Sequence, residues 1–132
     1  MKKLLLVLIL NYSINSFGQS AQEYYNNGLS KANSKDYQGA IADYSKAIEK
    51  NPKYFEAYNS RGNAKNSLRD ANGAILDLNK SIALNPEYGI AYYNRGVAKF
   101  NLNQKKSACL DWKKAQELGE LDANDFIIKY CK

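Results

Sequence analysis

The sequence predicts an all-α fold, helix pairs stacked in an array and closed by one terminal helix. Three observations carry that reading. The stretch Asn85-Pro86-Glu87-Tyr88-Gly89-Ile90-Ala91-Tyr92-Tyr93-Asn94-Arg95-Gly96-Val97-Ala98-Lys99 nearly copies Asn51-Pro52-Lys53-Tyr54-Phe55-Glu56-Ala57-Tyr58-Asn59-Ser60-Arg61-Gly62-Asn63-Ala64-Lys65 at a displacement of 34 residues. A fixed internal period of this size marks a repeat architecture, each unit being one supersecondary element. Within the units apolar residues recur at helical spacing, and Asn-Pro recurs where one unit ends. Proline pushes the residue before it out of the α region, so it stops a helix there.

The first unit runs from Ala21 to Tyr54. Its first half, to about Asn33, carries Tyr24, Gly28 and Ala32 at helical spacing. Its second half, about Tyr37 to Lys50, places Ile41, Tyr44, Ala47 and Ile48 on one apolar stripe. Ser34-Lys35-Asp36 is the polar turn between them, with Asp36 placed to cap the second helix. The second unit, 55–88, repeats this with Tyr58, Gly62 and Ala64, then Ala74, Ile75, Leu78, Ser81 and Ile82, around a turn at Arg69-Asp70. The third, 89–122, has Tyr92, Gly96 and Ala98, then Ala108, Cys109, Trp112 and Ala115. Here the pattern loosens, since Gln104 replaces the turn aspartate and Glu120 stands where proline would be.

A last helix follows over 122–131, with Asp122 as the expected N-cap and Ala123, Phe126, Ile127 and Tyr130 on one face. A stacked array exposes an apolar surface at its end, and a helix greasy on one side only covers it. Gly28, Gly62 and Gly96 fall mid-helix, where glycine costs about 1 kcal/mol against alanine, which implies that a neighbouring helix needs the space. About three such units are the minimum for a stable array, and this chain has three and a cap.

Tyr58, Gly62, Ala74, Leu78, Ser81 and Pro86, with Tyr24, Gly28, Ala40, Tyr44, Ala47 and Pro52, fall at the spacing of the tetratricopeptide repeat. The chain resembles that family from Ala21 to about Asp122. The resemblance implies a right-handed superhelix of helix pairs, the first helices lining a concave face that in this family usually binds peptides or proteins.

Residues 1–18 are read as a signal peptide and 19–132 as the repeat domain. Met1-Lys2-Lys3 is a short positive start, Leu4 to Leu10 is unbroken apolar sequence, and small residues follow around Ser16-Phe17-Gly18-Gln19-Ser20. The apolar run is far short of the roughly 18 residues of a membrane span, so export to the periplasm or the medium is expected, with no membrane association after cleavage. An uncleaved anchor is the alternative. Without Lys2 and Lys3 the charge falls from +6 to 17 basic against 13 acidic residues, too mild to argue for nucleic acid.

On the resemblance, the groove faces of the first helices carry Tyr25, Asn26 and Leu29, then Asn59, Asn63 and Asn66, then Ile90, Tyr93, Asn94, Val97 and Phe100. Asparagine offers one acceptor and two donors, which suits an extended peptide backbone, and the aromatic patches at the two ends suit apolar side chains. The bland alternative is that these are tolerated solvent-facing residues. One subgroup of the family grips a chaperone's C-terminal carboxylate through Lys, Arg and Asn groups. At the matching positions stand Tyr25, Leu29, Ser60, Ile90 and Asn94, so that clamp is not expected.

Arg61 and Arg95, with Lys65 and Lys99 four residues on, recur in register with Asp43, Asp77 and Asp111 in the second helices. Structural ion pairs between helices are expected, the competing reading being an anion-binding strip. Cys109 and Cys131 are the only two cysteines, and each lies 11 residues from Glu120, near the last hairpin turn. Equal rise along antiparallel helices brings them to the same height, which predicts a disulfide contributing about 3 kcal/mol. The alternative is a buried Cys109 with a frayed, free Cys131.

The chain has no histidine, which removes the commonest general base and metal ligand together. No catalytic set, cofactor or metal site emerges, and an enzyme is not expected. The sequence therefore points to an exported module that binds a protein or peptide of unknown identity in its groove. The alternative is an assembly element that associates end to end through its terminal helices.

Overall fold

The structure, a computed structural model, describes residues 18–132. The segment read as a signal peptide lies outside the described residues except for Gly18. Seven helices follow in order: α1 Ala21–Asn33, α2 Tyr37–Lys50, α3 Phe55–Ser67, α4 Ala71–Leu84, α5 Gly89–Asn101, α6 Lys105–Glu117 and α7 Ala123–Tyr130. Each packs on the next, and the first helices α1, α3 and α5 also touch in sequence. The described residues hold no strand, and the fold is an all-α helical solenoid. None of these helices is long and apolar enough to cross a membrane.

The turns explain the helix ends. Asp36 accepts from the Gly39 backbone N–H at 3.0 Å, and Asp70 from that of Gly73 at 2.9 Å. A Cβ at either glycine would collide with the capping carboxylate, which accounts for the Asp-x-x-Gly spacing. Lys35, Arg69 and Asn103 take the left-handed conformation, φ 62°, 64° and 60°, that lets each first helix end in a Schellman turn. Asp36, for instance, donates its backbone N–H to the Lys31 carbonyl at 2.8 Å. Asp122 departs from expectation. Its backbone is already helical (φ −61°, ψ −21°), and its side chain makes no capping bond.

Each mid-helix glycine faces the large side chain of its own second helix. A Cβ at Gly28 would lie 2.5 Å from the Tyr44 ring, at Gly62 2.9 Å from Leu78 and at Gly96 2.5 Å from the Trp112 indole. Tyr44, Leu78 and Trp112 are fully buried, surrounded by Ala40, Ala47, Ala64, Ala74, Ala91, Ala98, Ala108 and Ala115. Small residues opposite large ones let the helices approach and fill the space between them. At the end of the array α7 seats Ala123, Phe126, Ile127 and Tyr130 against Trp112 and Ala108. Cys109 and Cys131 are joined, with Cα atoms 5.6 Å apart, so the cap is covalently tied to α6.

Candidate functional site

A cleft of about 360 Å³ opens along the first helices. Leu29 and Asn33 of α1, Asn59, Ser60 and Asn63 of α3, and Ile90, Tyr93 and Asn94 of α5 line it, with Tyr37 and Tyr44 of α2 at its base. No charged side chain is among the lining residues. Its chemistry is that of amides, hydroxyls and apolar surface, suited to an uncharged chain segment rather than to an ion.

The polar groups are not all free. Asn94 donates its side-chain N–H to Asn59 Oδ1 at 3.0 Å, and the Asn94 carbonyl accepts from Asn66 Nδ2 at 3.2 Å. Asn59 and Asn94 are each only 6% exposed. The same rung recurs one unit earlier, where the Tyr25 hydroxyl lies 3.3 Å from Ser60 Oγ. Both rungs span 35 residues, so each first helix is bonded to the next one along the inner face. These residues preorganise the wall of the cleft, and Asn63, which is exposed, is left to face an occupant.

Of the residues expected in the groove, Leu29, Asn59, Asn63, Ile90, Tyr93 and Asn94 come together there. Tyr25 instead packs its ring on Tyr44 and Tyr54, with centroids 5.8 and 4.9 Å away, and Asn26 accepts from Gln22 at the surface. Asn66 bonds the α5 backbone. Val97 and Phe100 are covered by the cap, Phe100 lying 4.5 Å from the Tyr130 ring. Tyr93 serves both surfaces, since it lines the cleft and meets Phe126 edge-on at 5.5 Å. Burial, reinforced by the Asp122 and Glu120 carboxylates, raises its phenol pKa above the ordinary value. Tyr37 and Tyr44 are the lining residues that sequence periodicity missed, because both begin from a second helix and Tyr44 reads as core.

The opposite side of the helix pairs carries the charges. Arg61 grips Asp77 in a fork, Nε to Oδ2 at 2.8 Å and Nη2 to Oδ1 at 2.7 Å, while Nη1 donates to Ser45 on α2 at 3.1 Å. Arg95 repeats the arrangement with Asp111 at 2.9 and 2.8 Å and with Asn79 on α4 at 3.0 Å. Lys65 and Lys99 add a second cation to each aspartate at 2.9 and 2.8 Å. Each arginine thus joins its own unit to the preceding one. Asp43 has no arginine, because residue 27 is asparagine, and pairs with Lys31 at 2.7 Å instead. With both faces of each guanidinium fork committed, the arginines are not an open anion strip.

Residues 21–68 match a family model described as TPR repeat, and residues 55–88 match one described as tetratricopeptide repeat. Together the two span residues 21–88, more than half of the 132 residues. The chain belongs to the tetratricopeptide-repeat family, whose domains are protein-interaction modules. It is similar to the solved first TPR of Spaghetti (RPAP3) bound to the HSP90 peptide SRMEEVD, at 28% identity and a TM-score of 0.81, over 86% of this chain and 91% of that one. The first TPR domain of human RPAP3 aligns at 27% identity and a TM-score of 0.81, over 84% and 89%. MamA aligns at 30% identity and a TM-score of 0.71, over 80% of this chain and 61% of that one. No curated protein matches the chain.

Proposed function

We propose that this chain is an exported, non-enzymatic module that holds an extended, uncharged peptide segment in the cleft along its first helices. The observation that supports it is the lining. Asn33 and Asn63 offer donors and acceptors to a peptide backbone, Leu29, Ile90 and Tyr93 offer apolar contact, and no ionic group competes. The relative bound to SRMEEVD holds an acidic segment. The cleft here has no cation to meet carboxylates, so the ligand proposed differs in charge. Export rests on the positive start and apolar run of residues 1–10.

The test is titration of the isotopically labelled chain with two short peptides followed by NMR, one of serine, leucine and phenylalanine and one acidic. The neutral peptide should shift Asn63 and Ile90, and Asn63→Lys or Ile90→Ala should weaken it about tenfold, the loss of one good contact. A chain that binds only the acidic peptide would sink the reading. N-terminal sequencing of the exported chain should begin at Gln19 or Ala21, and an intact Met1 would end the export part.

The second reading is end-to-end assembly, favoured by Leu121 and Ile128, each 71% exposed at the cap end of the array. Light scattering distinguishes it, since an oligomer that Ile128→Asp returns to monomer belongs to this reading.

A further inference from the structure

The outer side of the third unit carries a lysine cluster that the first two lack, around an exposed leucine whose counterpart in the second unit is Leu76. A depression of about 520 Å³ lies between α6 and the end of α7. Lys105, Lys106, Lys113 and Lys132 line it, together with Leu110, Tyr130 and the Cys109–Cys131 disulfide. Leu110 is 68% exposed. Among the described residues none of these four lysines has a carboxylate within ion-pair distance, as is also true of Lys35, Lys46, Lys50, Lys53, Lys80 and Lys129, and what distinguishes the four is that they line one depression. The nearest acidic residue along α6, Asp111, is buried and held by Arg95 and Lys99, so it neutralises none of them.

The repeat itself supplies the comparison. Lys105 stands where the earlier units have Tyr37 and Ala71, Lys106 where they have Gln38 and Asn72, and Lys113 where they have Ser45 and Asn79. The scaffold is built with neutral residues at all three positions, and the third unit puts a cation at each. Ser45 and Asn79 receive the arginine of the following unit, a partner that Lys113 does not have. Lys106, Leu110 and Lys113 follow at i, i+4 and i+7, so the two charges flank the leucine on one helix face. The exposed lysines raise the local positive potential, which favours an arriving anion most at low salt.

We propose that this surface docks an acidic peptide segment carrying one large apolar side chain. Its carboxylates meet Lys105, Lys106 and Lys113, and its apolar side chain lies over Leu110 and the disulfide. The cleft and this surface lie on different helices and call for opposite ligands. The chain would therefore hold a neutral and an acidic segment at once.

The test is fluorescence anisotropy of a labelled short peptide of glutamate and aspartate around a central phenylalanine, titrated with the full chain at low salt. Binding should fall about tenfold in Lys106→Glu/Lys113→Glu. It should fall severalfold in Leu110→Ser or when alanine replaces the peptide's phenylalanine, and stay unchanged in Asn63→Lys. Both lysines are exposed and unpaired, so circular dichroism should be the same for the double variant as for the parent. The inference is overturned by any of three outcomes: equal loss on reversing Lys46 and Lys80, equal binding of the alanine peptide, or capture by phosphatidylserine vesicles with none by the peptide.

Discussion

Replacing Cys131 by serine should uncouple the cap from the array, and the chain carries its own reporter for that event. The tie closes a loop of 22 residues in sequence. The chain-entropy relation for a loop of that size gives about 3.4 kcal/mol at 25 °C. A domain of this length has only about 5–15 kcal/mol in all, so the loss is a large fraction of the total. Trp112 is the only tryptophan, is fully buried, and touches Phe126 and Tyr130 of α7 at ring distances of 5.0 and 6.1 Å. Its emission therefore reports cap release, whereas circular dichroism reports all seven helices. In the parent chain both probes should give one urea transition. In Cys131→Ser the fluorescence midpoint should fall by roughly 1–3 M, given a urea m-value of about 1–3 kcal/mol/M, and should precede the dichroism. The separation arises because eight residues of α7, held by one apolar face, form too short a helix to persist alone. A loss below about 1 kcal/mol with coincident probes would refute the account.

The glycine series should rank by what each Cβ meets. Gly96→Ala drives into the buried Trp112 indole, which also donates to the Tyr93 carbonyl at 3.3 Å, and should cost about 1–2 kcal/mol net of the helix gain. Gly62→Ala meets Leu78 Cγ at 2.9 Å and the Ala74 carbonyl at 3.2 Å, a looser fit than the 2.5 Å at Gly96, and should cost less by thermal melting. Asp77→Asn leaves Arg61 and Lys65 one acceptor fewer in a part-buried pair, for a loss of about 2–3 kcal/mol in urea, with peptide binding in the cleft unchanged. Burial pushes the Tyr44 and Tyr88 phenols up to about 12 from an ordinary 10.0. The unfolded chain ionises them first, so stability is full below pH 10 and falls as pH rises to 12. A urea midpoint that stays flat over that range, or falls as steeply in Tyr44→Phe, would contradict this. Arg69→Gly relieves a left-handed backbone at φ 64° and should raise stability by about 0.5–1 kcal/mol.

The solenoid could be read from the sequence because its determinants are local and repeated. Asp36 and Asp70 cap the residue three places on, the Asn-Pro steps stop helices within one peptide bond, and each glycine answers a large residue 16 positions later in its own hairpin. The inner face was harder, since its bonds run between units. Asn59 and Asn94 are not equivalent in the 34-residue register, where Asn59 matches Tyr93 and Asn94 matches Ser60, yet they bond each other at an offset of 35. Nothing within one unit shows that. Val97 and Phe100 look like groove residues until α7 is laid over them, and that placement depends on where a hairpin of different sequence turns. The missing arginine opposite Asp43 is visible at Asn27, though its replacement by Lys31 follows only from side-chain reach.

Internal repetition separates scaffold from surface in a way that burial alone does not. Arg61 and Arg95, Asp77 and Asp111, and Gly28, Gly62 and Gly96 recur, and each is committed to a neighbouring helix in the structure. A position at which three units carry three different side chains is either a packing site filled three ways, as with Tyr44, Leu78 and Trp112, or a site free of that demand. Positions 37, 71 and 105 hold Tyr, Ala and Lys, and positions 29, 63 and 97 hold Leu, Asn and Val. The first set contributes Tyr37 to the cleft and Lys105 to the basic surface. The second contributes Leu29 and Asn63 to the cleft and Val97 to the cap contact. One register position thus serves more than one surface, because the third unit meets α7 where the first two do not. Divergent positions such as 29 and 63 in the cleft and 105, 106 and 113 on the basic surface contribute side chains to both candidate binding surfaces.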